Sequence, residues 1–216
     1  MKRLYLLPVF LLCCLHLLGQ SDADTSFRAD TLSDALFARM AGKSYPLEGS
    51  SVGRGDLRVL HVLHCDAKGR VCQGELVGNK AIAADLLDIL RRLYEARYPI
   101  ERMTLIDDYD ADDERSMTAN NTSCFCYRPV EGSNRLSKHA MGMAIDINPL
   151  YNPCVRRGKD GKTLVQPKAG KKWADRSKPS SYKVVRGDLC YRLFKEHGFR
   201  WGGEWNSLKD YQHFEK

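Results

Sequence analysis

Apolar positions along the chain fall into three kinds of pattern. The first is a run from Leu4 to about Leu18, interrupted only by His16 and preceded by Lys2 and Arg3. A basic start ahead of an apolar run of that length predicts a signal peptide over residues 1–20, ending between 20 and 23 and too short to span a bilayer comfortably. Residues 21–55 are polar, Ser-rich and weakly periodic, which predicts an irregular lead-in. The second kind is β-like: Leu57 to Leu63, then a turn at Gly69 before Val71, reads as a hairpin. The third is helical. Ile82, Leu86, Ile89, Leu90 and Leu93 recur at three- and four-residue spacing, predicting a helix from Lys80 to Tyr98, capped by Asn79 and ended where Pro99 restricts Tyr98.

Further along, Leu105 and Ile106 suggest a short buried strand, and Asp107 to Glu114, six acids in eight residues, a solvated loop. A calcium loop is the rival there, but the central glycine and flanking helix spacing are absent. Met143, Ile145 and Ile147 alternate with Ala144 and Asp146 as a strand of about five residues. Arg156 to Lys183 carries ten Lys/Arg against Asp160 and Asp175, and reads as a basic surface excursion, ordered only in part. A second helix is expected from Asp188 to His197, stopped by Gly198, followed by a β-like Phe199 to Trp201. Helices and short strands do not alternate regularly, so an α+β domain over 56–216 is expected rather than a doubly wound sheet.

Composition changes this picture little. The chain has 216 residues, 43% apolar and 28% charged, ordinary for one globular domain. A net charge of +7 invites an anionic partner without naming it. No nucleic-acid motif accompanies it, and an export signal argues for the periplasm or the exterior. Cys13 and Cys14 raise a lipid anchor, although the small residue expected before a lipidated cysteine is missing. Six further cysteines remain, of which Cys65 and Cys72, flanking the Gly69 turn, are the most plausible local disulfide. Cys124 and Cys126 are too close in sequence for a relaxed bridge with one another.

Candidate chemistry gathers around histidines. His139 and Asp146, seven residues apart with Gly142 between them, supply one imidazole and one carboxylate, half of a hydrolytic zinc centre. His213, set among Trp201, Trp205, Tyr211 and Phe214, is a candidate second imidazole. A nearby carboxylate would then serve as base: Asp210 in a turn, Glu215 in an extended strand. Spacing alone leaves that choice open. His61 and His64 lie three apart in a strand, on opposite faces, and His197 suits a helix end. The formal sequons at Asn120 and Asn121 are expected to stay bare.

The segment Ser137-Lys138-His139-Ala140-Met141-Gly142-Met143-Ala144-Ile145-Asp146 resembles the SxHxxGxAxD signature of the D-alanyl-D-alanine carboxypeptidase/L-alanyl-D-glutamate endopeptidase family of zinc peptidases, the M15 peptidases. Phe125 to Val130, Gly198 to Trp205 and Asp210 to Glu215 fit the same family, and the C-terminal motif is most similar to that of its endopeptidase subgroup. The resemblance implies a small α+β domain with a central antiparallel sheet, shared with hedgehog signalling domains. It implies one Zn2+ held by His139, Asp146 and His213, Asp210 as general base, Arg128 steadying the polarised carbonyl, and Ser137 lining the substrate site. The implied substrates are bacterial peptidoglycan stem peptides. An L-alanyl-D-glutamate-type endopeptidase is expected first, a D-alanyl-D-alanine carboxypeptidase second. A non-catalytic cell-wall binding module is the alternative of a different class, and a monomer is expected for either.

Overall fold

The computed structural model describes residues 26–130, 132–158 and 160–216. The signal-peptide segment and Cys13–Cys14 lie outside the described residues. Strands β1 (Arg28–Thr31), β2 (Leu57–Cys65) and β3 (Val71–Asn79) form one antiparallel sheet in the order β1-β2-β3. Between β1 and β2 runs helix α1 (Asp34–Met40), whose first turn is capped by the Ser33 hydroxyl accepting from the Leu36 N–H. The lead-in is therefore not irregular throughout. A four-residue edge strand and a seven-residue helix are too short to leave a periodic signal, and β2 supplies the template for the strand.

Helix α2 (Lys80–Glu95) starts directly from β3, with the Asn79 side chain accepting from the Ala81 N–H. Its predicted stripe is its buried face: Ile82, Leu86, Ile89, Leu90 and Leu93 pack with Leu60, Val62 and Leu76 of the sheet. Each such side chain contributes about 1.5–3 kcal/mol by burial. The helix ends earlier than Pro99 would dictate. Arg97 takes a left-handed conformation (φ 53°), and the Arg97 and Tyr98 N–H groups bond back to Tyr94 and Leu93.

Leu105 and Ile106 are buried but not a strand, since Ile106–Tyr109 closes a 3-10 turn. The acidic run is not a simple solvated loop either. Asp107 is buried, accepting from the Ser44 N–H and hydroxyl, and Asp112 caps helix α3 (Asp113–Thr118). Asp108 pairs with Arg39, and Asp110 with Lys43 and Arg115.

The second sheet is antiparallel and comprises β4 (Ala144–Asp146), β7 (Arg200–Trp201) and β9 (His213–Glu215), with β9 in the middle. The third is built from β5 (Cys154–Arg157), β6 (Thr163–Gln166) and β8 (Lys209–Asp210), with β5 in the middle. The basic excursion is thus more ordered than its composition suggests. Its Lys183 ammonium is buried, donating to the Asp175, Arg176 and Lys178 carbonyls, and its Arg176 donates to the Tyr151 and Val184 carbonyls. Helix α4 (Leu189–Glu196), capped by Asp188, lays Leu193 and Phe194 on the second sheet, where Phe194 stacks on Phe214 with ring centroids 4.1 Å apart. The result is a small α+β domain with antiparallel sheets, as expected.

The cysteines correct one expectation. All six described cysteines are unbridged. Cys65 faces Val71 across the hairpin and Cys72 faces His64, so the two thiols leave the sheet on opposite sides and cannot join.

Candidate metal centre

Three pieces of chain converge on His139, Asp146 and His213. His139 sits in the 3-10 turn Lys138–Met141, whose cap is Ser137: the Ser137 hydroxyl accepts from the His139 N–H at 3.2 Å. The turn is closed by Gly142 (φ 66°), and a Cβ there would stand 2.7 Å from the Asn79 nitrogen. Only glycine permits that approach, which lets the Asn79 N–H donate to the Gly142 carbonyl and its side-chain amide to the Met141 carbonyl. The turn is so clamped to the junction of β3 and α2. Asp146 and His213 are direct partners across the β4–β9 ladder. A stacked Phe194–Phe214 core beneath β9 fixes the plane of that ladder.

The hydrogen bonds settle which ring atoms face inward. The His139 Nδ1 is 2.5 Å from the Cys124 carbonyl, which can only accept, so Nδ1 carries the proton and Nε2 presents its lone pair. His213 Nε2 is 3.2 Å from a Glu215 carboxylate oxygen and donates to it, so it is Nδ1 that faces the other two donors. The His139 Nε2, His213 Nδ1 and one Asp146 oxygen lie 3.1, 3.2 and 3.3 Å apart. Three such donor atoms aimed at one place need positive charge between them, a proton on His213 Nδ1 shared with Asp146 or a metal ion that replaces it. Ligand atoms about 2.0 Å from a zinc ion at tetrahedral angles would be about 3.3 Å apart. The donor set therefore fits a single metal ion. All three residues are buried, and among the described residues this is the one group of three or more potential ligands close enough to share an ion.

Electrostatics agree with a site built for positive charge. Burial opposes ionisation of Asp146, yet the two imidazoles hold it well below the usual carboxylate range. Burial likewise opposes charge on His213, but Asp146 and Glu215 outweigh it and push the imidazole up to about 10. Each imidazole thus has an acceptor behind it, a carbonyl for His139 and Glu215 for His213, the arrangement that orients metal-binding histidines.

Asp210 stands beside this cluster. It lies on β8, opposite Cys154, and one carboxylate oxygen is buried without a hydrogen-bond partner. Burial pushes its pKa up to about 6, against the pull of His213. Its position depends on Gly202, where a Cβ would fall 2.6 Å from the Asp210 carbonyl oxygen and 2.8 Å from its Cβ. Arg128 is ion-paired with Asp113, and its charge reaches Asp146. The strand-like segment carrying it is pinned by backbone bonds: Phe125 to Val77, Cys126 to the His139 carbonyl, Tyr127 to Ser44.

Of the residues expected from the sequence, His139, Asp146 and His213 meet, with Asp210 and Arg128 around them. Ser137 is buried as the cap of the His139 turn. Glu215, left open as a base, instead backs His213. Asp113 and Gly202 were not singled out; an acidic run and a Trp-Gly-Gly-Glu string carry no sign of their aim. Cys124 and Cys126 do not fix the Arg128 strand by a bridge. Burial raises both thiols, Cys126 to about 12, so neither offers a thiolate. His61 spans Asp30 and Glu75 at the surface, whereas His64 and His197 bond to the Ile100 and Leu193 carbonyls. Asn120 and Asn121 are buried braces.

Two imidazoles and one carboxylate on a compact α+β scaffold, with a buried carboxylate alongside, define a mononuclear metallohydrolase site. Residues 131–216 match the model of an M15 peptidase family described as D-alanyl-D-alanine carboxypeptidase. The match includes all three candidate ligands and Asp210, and stops short of Arg128. No solved structure gives a significant match.

Proposed function

We propose that the protein is a zinc-dependent peptidase that trims bacterial cell-wall stem peptides, acting as a D-alanyl-D-alanine carboxypeptidase. The observation that carries the hydrolytic reading is the convergence of two imidazole nitrogens and a carboxylate oxygen beside Asp210, one of whose oxygens is buried without a hydrogen-bond partner. The description of the matched family favours the carboxypeptidase over the L-alanyl-D-glutamate endopeptidase expected from the C-terminal motif.

His139, Asp146 and His213 would hold a zinc ion, which when bound would supply Lewis-acid polarisation of the scissile carbonyl and lower the pKa of a water towards neutrality. Asp210 accepts a proton from the attacking water and afterwards delivers it to the departing amine. A carboxyl poised near 6 suits both halves of that exchange. Arg128 carries a fixed positive charge to the carbonyl oxygen as negative charge grows there, the kind of contribution that is usually largest. Water's oxygen bonds to the carbonyl carbon, the C–N bond breaks, and no covalent enzyme intermediate forms. Ser137 contributes by holding the His139 turn. The apolar, positively led N-terminus supports export, placing the domain where peptidoglycan is found. Among the described residues no helix is long and apolar enough to cross a membrane.

The test is digestion of purified peptidoglycan and pentapeptide muropeptides by zinc-loaded mature protein, with products read by mass spectrometry. Release of free D-alanine, lost in Asp210→Asn, supports the carboxypeptidase. New N-terminal D-glutamyl fragments would assign the endopeptidase instead. Tight binding to peptidoglycan without cleavage by folded, zinc-loaded protein would favour a binding module.

A further inference from the structure

We propose that Asp113 is a positioning residue for Arg128, holding its guanidinium at the metal centre and away from Asp146. The inference rests on the reading of Arg128 as the group facing the substrate carbonyl. Asp113 opens helix α3, and its carboxylate lies in ion-pair contact with Arg128 Nε, a buried atom with no aligned hydrogen bond of its own, while about 30% of each side chain remains exposed. Every other acid of the run 107–114 has work elsewhere. Asp107 takes Ser44, Asp108 Arg39, Asp110 Lys43 and Arg115, Asp112 the helix cap, and Glu114 the Lys168 N–H. Asp113 alone of the six pairs with Arg128, and its charge reaches His139 and Asp146.

The need for such a partner follows from charge. Arg128 has a long, flexible side chain and lies within electrostatic reach of Asp146, a buried carboxylate that is also a candidate metal ligand. Without its own counter-ion the guanidinium has two outlets: collapse onto Asp146, in competition with the cation, or swing out to solvent. Asp113 removes both by supplying a carboxylate at one edge of the guanidinium, leaving the opposite nitrogens for a substrate oxygen. Guanidinium donors are forked and planar, so fixing one edge fixes where the others point. Asp113 and Arg128 both lie before the residues matched to the peptidase family, so the device belongs to the N-terminal part of this domain.

The experiment compares wild type, Asp113→Asn, Asp113→Glu, Arg128→Ala and the Asp113→Asn/Arg128→Ala double variant as zinc-loaded proteins, on the substrate found by the digestion above. Zinc content and melting temperature are measured alongside. The Arg128 Nε–H resonance is followed by NMR, assigned by its loss in Arg128→Lys. Asp113→Asn should lower kcat about 10- to 100-fold with KM changed less than about threefold. Asp113→Glu should recover part of that loss, and the double variant should be no slower than Arg128→Ala. The Nε–H signal, shielded from solvent in wild type by burial against Asp113, should disappear in Asp113→Asn as the side chain comes loose. Unchanged kcat and an unchanged Nε–H signal in Asp113→Asn, with Arg128→Ala impaired, would overturn the positioning role alone. A full multiplication of the two losses in the double variant would do the same. Wild-type kcat in Arg128→Ala would instead remove the reading of Arg128 itself, and this inference with it.

Discussion

At the scale of single residues, the site is a set of protons put in their places. Glu215 holds a proton of His213 on Nε2, so that Nδ1 is the nitrogen turned towards His139 and Asp146 and the one a metal would take. Glu215→Gln is expected to weaken zinc affinity about 10- to 100-fold, measured by chelator competition, while leaving the fold intact. Unaltered affinity would mean that the β9 strand orients His213 unaided. His64 is the counterpart in the first sheet. Its Nδ1–H donates to the Ile100 carbonyl, and burial holds the imidazole below its usual pKa, so it is neutral when folded. The unfolded chain takes up a proton below about pH 6.5, and the folded protein resists doing so. Stability from this residue is therefore complete above that pH and is lost as pH falls, with a slope of at most about 1.4 kcal/mol per unit. Urea titrations between about pH 7.5 and 5 should show that fall in wild type and a shallower one in His64→Gln. Parallel curves would exclude the effect.

At the scale of elements, the site is positioned by close backbone approaches. β8 contributes two residues and needs an outside constraint to hold Asp210, which Gly202 provides by packing against its backbone. Gly202→Ala places a methyl group at 2.6 Å from the Asp210 carbonyl oxygen and must move that residue. The expected result is a loss of kcat of about 100-fold, given how steeply proton transfer depends on geometry, with zinc still bound. Peptidase assays with metal analysis check this, and retained kcat would show that β8 is held from its β5 side. The elements were unevenly legible in the sequence. Helix α2, its stripe and its Asn79 cap could be read directly, because sixteen residues give the 3.6 period several turns to repeat. β8 and β9, with two and three residues, offer no period, and Leu105–Ile106 was apolar for burial rather than for pairing.

At the scale of the whole molecule, one metal would join a turn clamped to the first sheet with two strands of the second. Binding to the folded state alone must therefore raise global stability. With free zinc about a thousandfold above its dissociation constant, the gain is about 4 kcal/mol, or a melting temperature higher by roughly 10 °C than in chelator-treated protein. Differential scanning calorimetry with and without chelator measures it, and coincident transitions would show that the three ligands hold no metal. The same cross-sheet construction explains why cysteines need not staple the domain: the core around Leu86, Phe194 and Phe214 spans both sheets.

What the sequence determined by itself is what repeats or is written in local residue order: the α2 and α4 helices, the β2–β3 hairpin, and the His139–Gly142–Asp146 spacing with its His213 partner. Tertiary structure alone decided which atoms face one another. That Asp146 lies across from His213, that Glu215 rather than Asp210 backs that imidazole, that Cys65 and Cys72 diverge, and that Asp113 turns inward all depend on strand register and on contacts between residues distant in the chain. A side chain's neighbours across a sheet are set by register, and register is fixed only when the faces of several elements are buried together.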